Sequence, residues 1–398
     1  MVSRRGQRMS EGGMAPYLQA HFEHRHDEGY VSLSIAENHQ VFDLLKERLE
    51  EPLAIPAHVV GYDDMAGKAD LRTAIAGLFE REIFHRAVDP AHVRVLSGAS
   101  GVLEALGHVL GDPGDGVLIP TPSYAGFWPD LEVRPGLHVV PAATLAEDGF
   151  HLTPDILEQA LADAEVPVTT LLLTNPDNPR GQVIAADDVE AALQWAESHA
   201  LHVIVDEIYA LSVFGESFTS VGQLRPSLGE RIHVVWAVSK DFGMSGLRCG
   251  AVISENDQVL GALDLQGLWS GVSGHTQHLL AGMLTDEDWL QAYLTWMRQR
   301  LQTASQLTTT ALDQASIPHL APTAGFFLLC DLRDHLDQPT WEAEHDLWQH
   351  VLDEAQVNLT PGSALRAGEP GWFRICYAAG TSAVVTDAIH RVGSVLAR

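Results

Sequence analysis

The strongest constraint on the fold is a succession of seven short apolar runs separated by stretches with helical periodicity. They are Val93 to Leu96, Val117 to Pro120, Leu137 to Pro141, Val168 to Leu173, His202 to Val205, Val234 to Val238 and Ala251 to Ser254. Apolar runs this short read as strands, and those without alternation as strands buried on both faces. Strands alternating with helices make a mainly parallel sheet with right-handed crossovers, an α/β architecture. In such sheets the ligand sits beyond the carboxyl ends of the strands. Ser100, Tyr124, Asn178, Asp206, Tyr209 and Lys240 all follow shortly after the end of a run. Polar residues placed independently would not all choose that edge.

The run Val234 to Val238 delivers Ser239 and Lys240, and Arg248 follows eight residues after Lys240. The chain has three lysines. Lys46 lies in the helical pattern DLLKERL and Lys68 in a passage from loop to helix. Only Lys240 ends an apolar run, where burial lowers an ammonium pKa and a second cation helps prepare a Schiff-base nucleophile. The bland alternative is a strand-end lysine paired with Asp241. Ser97-Gly98-Ala99-Ser100-Gly101 reads as a small-residue loop opening a helix at Val102, a place where free backbone N–H groups meet an anion. It is not a Walker loop, because no Gly-Lys-Ser/Thr follows. In TNPDNPRG two Asn-Pro steps fix an extended loop after Leu173. Glu37 and Asn38 precede a helical stripe of Phe42, Leu44, Leu45 and Leu49, where helix capping is their bland reading.

The 398 residues are ample for a large core and amount to about two to three domains by length. We divide the chain into 1–55, an N-terminal arm with part of a small domain, 56–288, the sheet domain, and 289–398, a linking helix with a smaller α+β domain. Residues 1–16 read as a mobile arm. The 53 acidic residues against 24 basic ones give a net charge of −29, which argues against nucleic acid and anionic membranes and favours a cationic small molecule. The basic start MVSRRGQR is not followed by an apolar stretch, and no run approaches the roughly 18–20 apolar residues of a membrane span. Cys249, Cys330 and Cys376 each lie in an apolar run, which is not a disulfide framework; a cytoplasmic protein is expected. His21, His24 and His26 cluster without the companions of a metal site.

A lysine, an aspartate and a phosphate cradle together suit pyridoxal 5′-phosphate. That cofactor needs an amine for its aldehyde, a carboxylate for its ring nitrogen and donors for its phosphate. Lys240 and Asp206 supply the first two. Ser239, Arg248, Ser100 and the Ala99 backbone supply the third. The segments SIAENHQVFDLL, GKADLRTAIA, SGASGVLEAL, DPGDGVLIPTPSYAGF, LLLTNPDNPRG, VDEIY, SKDFGMSGLRCG and NLTPGSALRAGEPGWFRICYA carry a resemblance over about residues 32 to 378. The chain resembles the class I/II aminotransferase family of fold type I pyridoxal-phosphate enzymes. Within it, AEN and GEPGWFRIC resemble the 1-aminocyclopropane-1-carboxylate (ACC) synthase branch. The resemblance implies that Lys240 carries the cofactor and moves the Cα proton, while Asp206 pairs with the ring nitrogen. It implies that Asn178 and Tyr209 bond the ring oxygen, and that Tyr124 stacks on the ring. It further implies that Arg374 grips a substrate carboxylate and that Glu37 approaches the substrate's far end, with S-adenosylmethionine as substrate and a homodimer as the assembly.

Three positions depart from the family pattern. Ala237 stands where a Ser three residues before the lysine is usual. Met65 stands where a cross-dimer Tyr is usual, with Tyr62 nearby but out of register. Arg180 replaces an apolar residue. These favour γ-replacement by a second substrate beside γ-elimination with ring closure. An ordinary aminotransferase is the alternative. A non-enzymatic regulator on the same fold fits poorly, because the chain has neither a helix-turn-helix extension nor a basic patch.

Overall fold

The computed structural model describes residues 2–11 and 13–397. Its central sheet contains β1 (Val93–Leu96), β2 (Gly116–Thr121), β3 (His138–Ala143), β4 (Val168–Thr174), β5 (His202–Asp206), β6 (Ile232–Ala237) and β7 (Gly250–Ser254). The spatial order is β3-β2-β4-β5-β6-β7-β1. The pairings from β3 through β6 are parallel, and β7 is antiparallel to both of its neighbours. The apolar runs are continuous because the sheet has a core on each face. Successive side chains of a strand point to opposite faces. Leu171, Leu173, Val203, Val205, Val234 and Trp236 therefore enter one core, while Leu172, Ile204 and Val235 enter the other. Helix α1 (Gly98–Leu110) covers the second face through Val102, Leu103, Ala105 and Leu106.

Helix α2 (Glu287–Gln314) runs from the sheet domain into the C-terminal region, its N-terminus capped by Asp286, which accepts from the Trp289 N–H at 3.1 Å. That region holds a three-stranded antiparallel sheet of β8 (Phe327–Asp331), β9 (Thr360–Pro361) and β10 (Trp372–Cys376), in the order β9-β10-β8. Helices α3 (Trp341–Ala355) and α4 (Ser382–Leu396) pack beside it. The N-terminal stretch joins this unit. Val31–Ser32 pairs in parallel with Val357–Asn358, and the Leu33 carbonyl accepts from the Cys376 N–H at 2.8 Å. Among the described residues no helix is long and apolar enough to cross a membrane.

Several local expectations are corrected. Within the expected arm of residues 1–16 lies a helix, Arg4–Glu11, and a second helix, Pro16–His24, follows it with Tyr17 and Ala20 buried. The expected strand at Tyr30 to Ile35 is only two residues long. In the helix Phe42–Glu50 only Leu45 is buried, and Phe42 is 47% exposed, so the stripe is not a core face. Asn38 does cap the turn before it, accepting from the Gln40 N–H at 3.2 Å. Ser97 to Gly101 is no loop: helical geometry begins at Gly98. Strand β6 ends at Ala237, and Ser239 and Lys240 ride on the short helical turn Val238–Asp241 beyond it.

Candidate active site

The carboxyl ends of β4, β5 and β6 and the start of α1 converge on a cleft. Ala99, Ser100, Tyr124, Asn178, Asp206, Tyr209, Ser239, Lys240 and Arg248 all line it. Arg374 and Glu37 reach its wall through partners. An Arg374 Nη donates to Asn178 Oδ1 at 3.0 Å, and the Ser245 hydroxyl donates to Glu37 at 2.7 Å.

Lys240 Nζ donates to the Ala36 carbonyl at 2.6 Å and has no carboxylate partner. Burial first, and then the Arg374 charge, lower its pKa to about 8, so about a tenth of the amine is neutral at pH 7. The bland pairing with Asp241 does not occur. Asp241 faces the interior, accepting from the Ser212 hydroxyl at 2.6 Å and the Trp236 indole at 3.0 Å. Lys68 is also buried, contrary to expectation, but an ion pair with Asp63 occupies its amine.

Asp206 ends β5 with its carboxylate in the cleft floor. Burial pushes its pKa up to about 7, offset by the Ile208 N–H and then by the Lys240 charge. A cationic ring nitrogen beside it would hold it ionised. Tyr209 and Asn178 are joined by a 3.3 Å hydrogen bond from the amide to the phenol oxygen. Burial raises the Tyr209 phenol well above its ordinary range, so it remains a donor. Tyr124 is likewise raised by burial.

The other end of the cleft is the cradle. Gly98 opens α1 with φ +76°, and a Cβ there would lie 2.6 Å from an Arg248 Nη. Gly250 is held equally close, since its Cβ would lie 2.5 Å from the Gly98 carbonyl carbon. The two glycines let the helix N-terminus, Arg248 and β7 close together. The Ser239 hydroxyl is buried without a partner, as is the Thr174 hydroxyl of the same cleft. Buried unpartnered donors are uncommon, and an anion at the helix start would satisfy Ser239.

Arg374 on β10 is buried and braced. Its second Nη donates to the Ser34 carbonyl at 2.6 Å and to Thr360 at 3.3 Å, and Phe327 lies beneath it, 5.6 Å to the ring centre. Its Nε–H is buried with no partner. Glu37 has the opposite character. The His39 hydrogen bond, and then that of Ser245, hold its carboxyl down at about 2 against partial burial.

Sequence reasoning missed Thr174, Ser245, Leu103 and Ile208 as lining residues. Ser245 was legible as a polar residue inside the SKDFGMSGLR run, three places before Arg248. The departures resolve differently. Arg180 turns out of the cleft and brackets Asp177 at 2.9 and 3.1 Å, with a further bond to the Phe150 carbonyl at 2.7 Å. It is therefore not a free cation for a ligand. Met65 and the fully exposed Tyr62 line a separate surface groove with Trp269 and Leu268. Ala237 is buried at the end of β6, paired with Gly250.

Comparison with known proteins agrees with this geometry. The family model described as aminotransferase class I and II matches residues 32–392. ACC synthase 6 of Arabidopsis thaliana is 34% identical over 92% of this chain and 78% of its own length. The ACC synthase of Malus domestica is 35% identical over 91% of this chain and 81% of its own. Among solved structures, a Thermus thermophilus aspartate aminotransferase double mutant superposes with a TM-score of 0.82 at 25% identity, covering 99% of both chains. An aromatic aminotransferase from Pyrococcus horikoshii superposes at 0.80 with 26% identity, covering 96% of this chain and 98% of its own. With a lysine amine, a buried aspartate and an anion cradle in one cleft of a seven-stranded sheet, this chain belongs to the class I and II aminotransferase family, fold type I enzymes that work with pyridoxal 5′-phosphate.

Proposed function

We propose that the protein acts on S-adenosylmethionine or a similar amino acid activated at its γ-carbon, removing the Cα proton and then closing a ring or replacing the γ-substituent. The observation that carries this reading is the polarity of the cleft. Arg374, bonded to Asn178 of the cleft lining, has an unpaired N–H, and Glu37, bonded to Ser245 of the same lining, is kept ionised by His39 and Ser245. A substrate with a carboxylate at one end and a positive sulfonium at the other suits that pair. The ACC synthase relatives support the same branch.

The residues present fit the cofactor. The unpartnered Ser239 hydroxyl, the glycine-permitted closeness of Arg248 to α1, and the buried Asp206 match its phosphate and its ring nitrogen. In our reading Ser239, Arg248, Ser100 and the Ala99 N–H hold the phosphate, Asp206 keeps the ring nitrogen charged, Tyr124 lies on the ring face, and Asn178 with Tyr209 bonds the ring oxygen. When bound, the cofactor supplies the electron sink for negative charge at the substrate Cα. The chain does the rest. Arg374 holds the carboxylate by a charge-assisted hydrogen bond. Lys240, with its pKa near 8, both attaches the cofactor and accepts the Cα proton at Nζ. Glu37 orients the γ-substituent.

We also propose a cytoplasmic homodimer. The groove of Val60, Tyr62, Met65, Leu268 and Trp269 is a large apolar exposure of the kind that marks an interface. In that assembly Tyr62 is the candidate to stand in for the absent tyrosine at position 65.

Incubation with S-adenosylmethionine tests the reading, with release of methylthioadenosine expected. If none is released while a common amino acid converts the enzyme stoichiometrically to its pyridoxamine form, transamination is the activity. That second reading is favoured by the aspartate and aromatic aminotransferases among the solved structures.

A further inference from the structure

Glu37 carries the negative charge that our reading sets against a sulfonium, yet its side chain is 40% exposed. A glutamate so placed samples several rotamers unless it is held. The backbone beneath it is pinned. The Glu37 N–H donates to the Ile35 carbonyl at 3.0 Å, and the Ala36 carbonyl accepts from Lys240 Nζ at 2.6 Å. The side chain is held at both oxygens. The Ser245 hydroxyl donates to Oε1 at 2.7 Å, and His39 Nε2 bonds Oε2 at 3.2 Å. An ionised carboxylate only accepts, so the His39 proton that faces it is on Nε2. Each donor is itself fixed. Ser245 opens the turn Ser245–Leu247, its carbonyl accepts from an Arg248 Nη at 3.1 Å, and Arg248 closes the turn at φ +50°. His39 donates its backbone N–H to the Ala378 carbonyl at 2.9 Å and packs its ring against Phe42, 4.7 Å between centres. Among the described residues no lysine or arginine is ion-paired with Glu37. A hydroxyl and an imidazole therefore orient the charge without a lysine or arginine to cancel it.

A sulfonium has no N–H or O–H to give. Its attraction to a carboxylate depends on the distance between the charges alone, with no hydrogen bond to pull the carboxylate into place. The protein must do the aiming beforehand. We propose that Ser245 and His39 are the positioning residues that set specificity for a positively charged γ-substituent, each fixing one oxygen of Glu37. The inference rests on the sulfonium reading above. Ser245 and Arg248 both line the cleft from one turn, so the segment that serves the phosphate cradle also aims Glu37.

The test compares S-adenosylmethionine with S-adenosylhomocysteine, which lacks only the sulfur methyl and the charge it confers. On the holoenzyme, KM is measured for the first and the inhibition constant for the second, and their ratio reads the response to the charge. Ser245→Ala should raise KM for S-adenosylmethionine about five- to tenfold, because re-ordering a freed glutamate side chain costs up to about that factor. The constant for S-adenosylhomocysteine should stay where it was. Ser245→Thr keeps the hydroxyl and should keep the ratio. His39→Phe keeps a ring against Phe42 and should show a loss of similar size, and it carries the same comparison if Ser245→Ala fails to fold in a thermal melt. In a Glu37→Gln background, Ser245→Ala should leave the ratio where Glu37→Gln alone puts it, since no charge remains to be aimed. Equal losses for both ligands, an unchanged ratio, or a drop that persists in the Glu37→Gln background overturns the assignment. If the wild type itself does not turn over S-adenosylmethionine, or does not prefer it to S-adenosylhomocysteine, the sulfonium reading fails instead.

Discussion

Substitution of Arg374 tests the carboxylate grip most directly. Of the five N–H donors on its guanidinium, three are fixed by Asn178, Ser34 and Thr360, and the Nε–H has no protein partner. That leaves one Nη hydrogen, on the nitrogen bonded to Asn178, and a substrate carboxylate takes the open Nε–H. Arg374→Lys keeps a positive charge but loses that N–H. One charge-assisted hydrogen bond is worth about 1.5–3 kcal/mol, and 1.4 kcal/mol is about tenfold, so kcat/KM should fall roughly 10- to 150-fold. Arg374→Ala should cost more and also lower Tm, because the Ser34 carbonyl and the Asn178 and Thr360 oxygens lose their shared donor inside the protein. The discriminating assay compares the inhibition constant of S-adenosylmethionine with that of its decarboxylated analogue. The wild type should prefer the carboxylate form, and Arg374→Lys should lose most of that preference. If the preference survives intact, Arg374 is a structural brace and the carboxylate binds elsewhere.

Other outcomes follow from the same geometry. Borohydride reduction of the holoenzyme should tag a peptide containing Lys240, and Lys240→Ala should abolish the tag; labelling at Lys68 would refute the assignment. Lys240 titrates at about 8 in the fold against 10.5 ordinarily. The unfolded chain therefore binds more protons between those values, and apoprotein stability should rise with pH across that window. By the same sign Lys240→Met should raise apoprotein stability at pH 7 by roughly 2–4 kcal/mol, measured by urea unfolding. Glu37→Gln should weaken S-adenosylmethionine at least severalfold more than it weakens a neutral amino acid; equal losses would remove Glu37 from substrate recognition. Arg180→Leu strands the largely buried Asp177 carboxylate and should lower stability by about 3 kcal/mol, while adding Asp177→Ser should restore most of it in a double-mutant cycle.

Much of the cleft was legible because its residues follow strand ends, and strands announce themselves locally. Asp206 and Lys240 each come directly after, or within three residues of, an apolar run's end, so the direction of a parallel sheet brings them to one edge. Errors came where local pattern and packing part. The small residues Ser97 to Gly101 suggested a loop, but the approach of Arg248 and β7 needs those small residues in a helix start. Phe42 and Leu49 made a helical stripe that the fold leaves facing outward. Arg180 stood out only as a departure from the family pattern, and the position of Asp177 and the Phe150 carbonyl shows where its charge is spent.

The order of strands and helices, the edge that holds the cleft and the place of Lys240 on it were determined by the chain's own local pattern, because apolar periodicity and chain direction act over a few residues. Tertiary structure decided which donors stay unpaired. Arg374 meets Asn178 across 196 positions of sequence, and Ser245 meets Glu37 across 208. Whether a hydroxyl, a guanidinium or a carboxyl is left free depends on everything packed around it, and no short window of sequence contains that information.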